Sequence, residues 1–215
     1  MRWVTFDCFG TLVDWRHGIL TSADLIAPGQ GPRLLEAYNR HERDVQAETP
    51  ELRYRHVMAE ALRRACAEEK VELNADDASV LAATIPYWPV FPEVEAELST
   101  LRAAGWNLAL LTNCDRDLIA ETLRRLPVRF DAVVTAEDAR AYKPANAHFD
   151  LFKRSYEPAA WVHAAQSYFH DMVPAHRLGI RRVWINRLGE QAPDPTIIQR
   201  VLPDLHGLLT AVQNL

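Results

Sequence analysis

The chain has 215 residues, 48% of them hydrophobic, with a formal net charge of -5. That length fits one domain, or one domain carrying a smaller insertion, and the acidic balance, with an isoelectric point near 5.9, excludes the basic footprint of a nucleic-acid binder. No apolar run is long enough to span a bilayer, the opening residues lack the charged, apolar and small-residue order of a secretory signal, and three cysteines in no metal-ligand spacing suit a reducing, cytoplasmic compartment.

The first predicted element is a short buried strand, Trp3 to Phe6, that stops at Asp7 and then Gly10. An acid at the carboxyl end of such a strand sits where open α/β sheets bind ligands. Gly10 lets the backbone turn sharply there and approach a ligand. From Trp15 to about Pro86 the pattern is helical throughout. Residues 27–32 read as a loop; Leu34, Leu35, Tyr38 and Val45 mark one helix face, and Tyr54, Val57, Met58, Ala61, Leu62 and Ala65 another. Asp76 or Asp77 caps a third helix through Val80, Leu81 and Ile85. Pro86, Pro89 and Pro92 then form a stiff return linker.

Beyond Pro92 helices and strands alternate. A helix through Val94, Leu98 and Leu101 ends at Gly105, and Trp106 to Thr112 is a strand. Asp115 caps a helix through Leu118, Ile119, Leu123 and Leu126. Strands at Ala132–Thr135, Trp161–Gln166 and Arg182–Ile185 are separated by helices at His148–Tyr156 and Met172–Leu178, and a last helix runs from about Leu205 to Val212. This rhythm argues a parallel sheet wrapped by helices. The tryptophans at 3, 106, 161 and 184 read as core.

Asp7-Cys8-Phe9-Gly10-Thr11-Leu12 after an apolar strand resembles the nucleophile motif of the haloacid dehalogenase superfamily. Leu110-Leu111-Thr112-Asn113, Tyr142-Lys143-Pro144 and Ala164–Asp171 resemble its remaining motifs, in order. The resemblance implies a Rossmann-like three-layer α/β core, residues 1–14 and 90–215, with an inserted all-helical cap, residues 15–89. It also implies chemistry. Asp7 would be the nucleophile, Lys143 the cation orienting it, and Asp171 the group that directs water. The Thr112 hydroxyl and the amides of Cys8 and Phe9 would hold a substrate carboxylate, and Asn113 would shape the site. A cap arginine, Arg40 with Arg43 in reserve, would face substrate; Gln166 would help position water, and His170 would stand on the halide side.

The departures from the pattern select within the superfamily. Its phosphatases carry an acid two residues after the nucleophile, to protonate a leaving alkoxide, and another in the fourth motif, to hold magnesium. Here those positions are Phe9 and Gln166. Asp7 and Asp171 alone are a thin ligand set for magnesium. A halide leaves as a weakly basic anion and needs neither aid. The expectation is therefore a hydrolase for short 2-haloalkanoic acids with no cofactor or metal, resembling the metal-independent 2-haloacid dehalogenases, with a homodimer as default assembly. A magnesium-dependent phosphatase and a non-catalytic carboxylate-binding relative are the alternatives. Cys8 and Cys114 flank the expected site and read as packing; His170, Asp171 and His176 fit no zinc spacing.

Overall fold

The computed structural model describes residues 1–215. Six strands form one sheet: β1 (Arg2–Phe6), β2 (Asn107–Thr112), β3 (Ala132–Thr135), β4 (Ala160–Ala165), β5 (Arg181–Ile185) and β6 (Arg200–Leu202). Their order is β3-β2-β1-β4-β5-β6, and every neighbouring pair is parallel. The first strand is central, and the chain builds outward from it in both directions. That reversal of direction beside β1 opens a crevice at the strands' carboxyl ends.

The helices are α1 (Trp15–Ile26), α2 (Gly31–Glu48), α3 (Tyr54–Glu68), α4 (Val80–Thr84), α5 (Val94–Ala103), α6 (Arg116–Leu123), α7 (Ala136–Ala139), α8 (Ala147–Tyr156), α9 (Val173–Arg177) and α10 (Leu208–Gln213). None is long and apolar enough to cross a membrane. Two compact units emerge. One contains residues 1–13, 90–113 and 126–215; the other contains 14–89 together with 114–125.

In the sheet unit, alternation along each strand separates two faces. Trp3, Ala109, Leu111, Ala132 and Val134 pack with Phe149, Phe152, Ala175 and Ile180 from α8 and the segment around α9. Val4, Phe6, Leu108 and Leu110 are likewise buried. Strand β6 departs from expectation: the sequence pattern shows five strands, because this sixth one is three residues long at the sheet edge with Val201 half exposed.

The helical unit is built around α2 and α3, which pack side by side. Two acids cap helices, one of them not the helix expected. Asp14 caps α1 by accepting the His17 amide at 3.0 Å. Asp115 stands before α6 but gives its carboxylate to the start of α3, accepting the Tyr54 amide at 2.8 Å and the Arg55 amide at 3.0 Å. A long-range cap of this kind satisfies two donors that the first turn of α3 leaves open. Trp88 packs on α1 at Gly18, where a β-carbon would collide with the indole ring.

Candidate active site

The site grows from the end of β1. The chain turns at Gly10, whose φ of 95° is strained for any residue with a side chain. The Cys8 carbonyl accepts the amides of Thr11, Leu12 and Val13 at 3.3, 2.8 and 3.1 Å, a knot that holds Asp7 at the strand tip. Arg187, just beyond β5, holds the same loop: its Nη2 donates to the Thr11 carbonyl at 2.8 Å and to Glu93 at 2.5 Å, over the ring of Phe91.

Lys143 is the hub. Only 1% exposed, its ammonium donates to Asp7 Oδ1 at 2.9 Å, Asp171 Oδ1 at 2.7 Å and the Leu111 carbonyl at 2.8 Å. Its three hydrogens are therefore all used. Asp7 Oδ2 accepts the Thr11 hydroxyl at 3.2 Å, and Thr11 in turn accepts the Gln166 amide at 2.9 Å. Asp171 comes from a π-helical turn, Tyr168–Met172, that follows β4; such turns are rare and concentrate at functional sites. Its Oδ1 also receives His163 Nε2 at 3.0 Å, while its Oδ2 is buried without a partner.

The charges divide unequally. Burial raises the pKa of Asp7, the Asp171 charge adds to this, and Lys143 offsets only part. Burial also acts against ionised Asp171, but Lys143 and the His163 hydrogen bond outweigh it and bring its pKa down to about 2. Burial works against charged Lys143, yet the two carboxylates hold its pKa above the usual value. The trio thus holds one firm anion, one cation and a second anion kept basic. His148 is buried, donates Nε2–H to the Thr112 carbonyl at 3.1 Å, and has its pKa lowered to about 3 by burial and then by Lys143. Burial also pushes the Cys8 thiol well up, so it offers no thiolate nucleophile.

The structure thus brings Asp7, Lys143 and Asp171 into one hydrogen-bonded cluster, with Thr112 at the tip of the adjacent strand. Several expected ligand residues have other work. Asn113 Oδ1 accepts the Lys143 backbone N–H at 2.7 Å and its Nδ2 donates to the Lys143 carbonyl at 3.2 Å, so Asn113 anchors the loop that carries the lysine. Arg40 is an exposed residue of α2 whose guanidinium pairs with Glu68 at 2.5 Å. That pairing gives the cation a partner within the helical unit. Arg43 is exposed as well. His170 is half buried, and its Nδ1 lies 3.1 Å from Ser167 Oγ, which also accepts the His170 amide. Gln166 contributes through its backbone, the amide to Thr11 and the carbonyl to the Trp184 indole at 2.7 Å.

Thr11, Thr5 and His163 were not singled out from the sequence. The signal was present: Thr5 and His163 are polar residues inside otherwise apolar strands, and buried polar groups require partners.

A family model for haloacid dehalogenase-like hydrolases matches residues 1–169. The chain belongs to the haloacid dehalogenase-like hydrolase family. Among curated relatives of this hydrolase, haloacetate dehalogenase H-2 of Moraxella sp. (strain B) is 30% identical over 216 residues, covering 90% of this chain and 92% of the relative. The (S)-2-haloacid dehalogenase of Pseudomonas sp. (strain YL) is 26% identical over 212 residues, covering 90% and 89%. A crystal structure of an L-2-haloacid dehalogenase superposes with a TM-score of 0.88 at 26% identity, covering 99% of each chain.

Proposed function

We propose that this hydrolase cleaves the carbon–halogen bond of short 2-haloalkanoic acids through an ester on Asp7, without a metal. The observation that carries the reading is the composition of the cluster: a strand-tip carboxylate shares one buried ammonium with a second carboxylate, while positions 9 and 166 hold Phe and Gln. In the first step an Asp7 oxygen attacks the α-carbon in line, the carbon–halogen electron pair leaves as halide, and the centre inverts. A carboxylate nucleophile divides one hard displacement into two easier steps. In the second, water attacks Asp7 Cγ and gives one proton to Asp171; as the acyl–oxygen bond breaks, Asp171 passes that proton to the departing alkoxide, the 2-hydroxy acid leaves, and the remaining proton on Asp7 is lost to solvent. With Oδ2 the oxygen bonded to carbon, Lys143, already on Asp7 Oδ1, stabilises the oxyanion that forms there.

The donor set does not fit the magnesium of phosphatases. That ion takes near-octahedral oxygen ligands, usually including carboxylates. Asp7 and Asp171 each accept the Lys143 ammonium, and no group of three His, Cys, Asp or Glu side chains is arranged to hold an ion. The relatives named for haloacetate and 2-haloacid dehalogenation support the same reading. A halide-release screen over fluoro-, chloro- and bromo-acids with chelator present, beside a phosphate ester with magnesium, tests it. Release that survives chelation and disappears in Asp7→Asn is expected; magnesium-dependent phosphate release with no halide release overturns the proposal.

A further inference from the structure

Behind Asp171 runs a buried polar line with no part in the steps above. Thr5 on β1 and His163 on β4 are register partners on adjacent strands, and both are fully buried. Trp161 Nε1 donates to Thr5 Oγ1 at 2.8 Å, Thr5 Oγ1 lies 2.8 Å from His163 Nδ1, and His163 Nε2 lies 3.0 Å from Asp171 Oδ1. The edge of Phe149 meets the His163 ring at 5.0 Å, fixing its plane.

The direction of these hydrogen bonds follows from donor chemistry. An indole N–H only donates, and a hydroxyl has one hydrogen to give. Asp171 can only accept, so His163 donates from Nε2; in the neutral ring Nδ1 then accepts the hydrogen of Thr5, which itself accepts from Trp161. The imidazole proton then sits on Nε2, facing a carboxylate that only accepts. No proton travels along this line, because it ends in a group that gives but does not take. Its effect is to hold.

We propose that His163 is a positioning residue for Asp171, held in its Nε2-protonated tautomer by the Asp171 carboxylate on one side and the Thr5 hydroxyl at Nδ1 on the other. With Oδ1 filled by His163 and Lys143, only Oδ2 is left to receive a proton from the attacking water. The inference rests on the base role proposed for Asp171 and adds which of its oxygens works and what selects it. The groups facing Asp171 are Lys143, His163, Asp7 and, further off, His148. In the ester Asp7 no longer titrates, so the pH dependence of ester hydrolysis reports Asp171 in the company of Lys143 and the two histidines.

The test separates the two half-reactions in His163→Leu. Halide release in a single turnover should stay within about threefold of wild type, while ester hydrolysis slows by about tenfold or more, the ester accumulates on intact-mass spectra, and the acid limb of hydrolysis moves up by about one pH unit. His163→Gln, which can still donate, should recover part of the loss. An equal fall in both steps, or an unmoved acid limb, overturns the proposal. Imidazole ¹⁵N spectra provide a readout independent of turnover: the signals lost in His163→Leu should report a proton on Nε2 in wild type. A wild-type proton on Nδ1 overturns the proposal on its own. Absence of halide release from wild type with any 2-haloacid would refute the functional reading, while the spectra would still decide the tautomer.

Discussion

Lys143→Met tests how the cluster is held together. The substitution keeps an unbranched apolar stem of similar length and removes one buried ammonium with hydrogen bonds of 2.7 to 2.9 Å to two carboxylates and a carbonyl. Breaking a buried ion pair from one side costs about 3–5 kcal/mol, because the partner charge is left uncompensated. Against a typical total of about 5–15 kcal/mol the variant remains folded but weakened. The deficit has a characteristic pH dependence. In wild type the pKa of Asp171 is lowered to about 2, so its contribution is present above the ordinary carboxylate range and lost as pH falls towards 2. Without Lys143, burial raises both carboxylates, and a raised acid favours the folded state increasingly as pH falls. The stability gap between wild type and variant should therefore be widest near neutrality and narrow towards about pH 5. Urea melts across that range measure it. Turnover should fall by about two to three orders of magnitude, the scale for losing one preorganised donor at a developing oxyanion. A gap that stays constant or widens on acidification would refute the reasoning.

Four further outcomes follow from the same geometry. Thr11→Val removes the donor on Asp7 Oδ2 and strips the Gln166 amide of its acceptor; the expected loss is about 1–3 kcal/mol in urea melts. Asp115→Ala opens two amides at the start of α3 and should cost about 1–2 kcal/mol by the same measurement, with helicity by circular dichroism lowered. Because burial raises the pKa of Asp7 from its ordinary value and only its anion attacks carbon, kcat/KM for 2-chloropropionate should fall with decreasing pH through a limb above the ordinary aspartate range; a limb below that range contradicts the assignment. Millimolar magnesium should leave the melting temperature of wild type unchanged and raise that of Gln166→Asp, which regains a third carboxylate, a shift read by thermal scanning.

The legible parts of the fold were those with a strong local signal. Trp3–Phe6 and the strands ending at Thr112 and near Ala165 are apolar runs bounded by turn residues, and their burial on both faces makes them readable. Strand β6 was not, since Arg200–Leu202 is too short and too exposed to leave a pattern. The π-helical turn carrying Asp171 is invisible in the sequence for the same reason: its five residues, Tyr168–Met172, match no period. Asp115 reads in the sequence as the cap of α6, the helix it precedes, but its carboxylate binds the amides at the start of α3, a pairing between segments distant in the chain that no local pattern shows. Site residues divide similarly. Asp7, Lys143 and Asp171 stood out as charges in the turns that follow strands, whereas the two hydrogen bonds by which Asn113 holds the Lys143 backbone leave no mark in the sequence. His163 was overlooked because a histidine in an apolar strand acquires meaning only once its strand is paired with Thr5.

A single turnover in ¹⁸O water decides whether Asp7 itself bonds to carbon. With enzyme in excess over 2-chloropropionate, water adds to Asp7 Cγ and the acyl–oxygen bond breaks, so the label should appear in the peptide bearing Asp7 and the first hydroxy acid released should be unlabelled. Label in that first product, with none on Asp7, would mean that water attacks the substrate carbon directly and would contradict the claim.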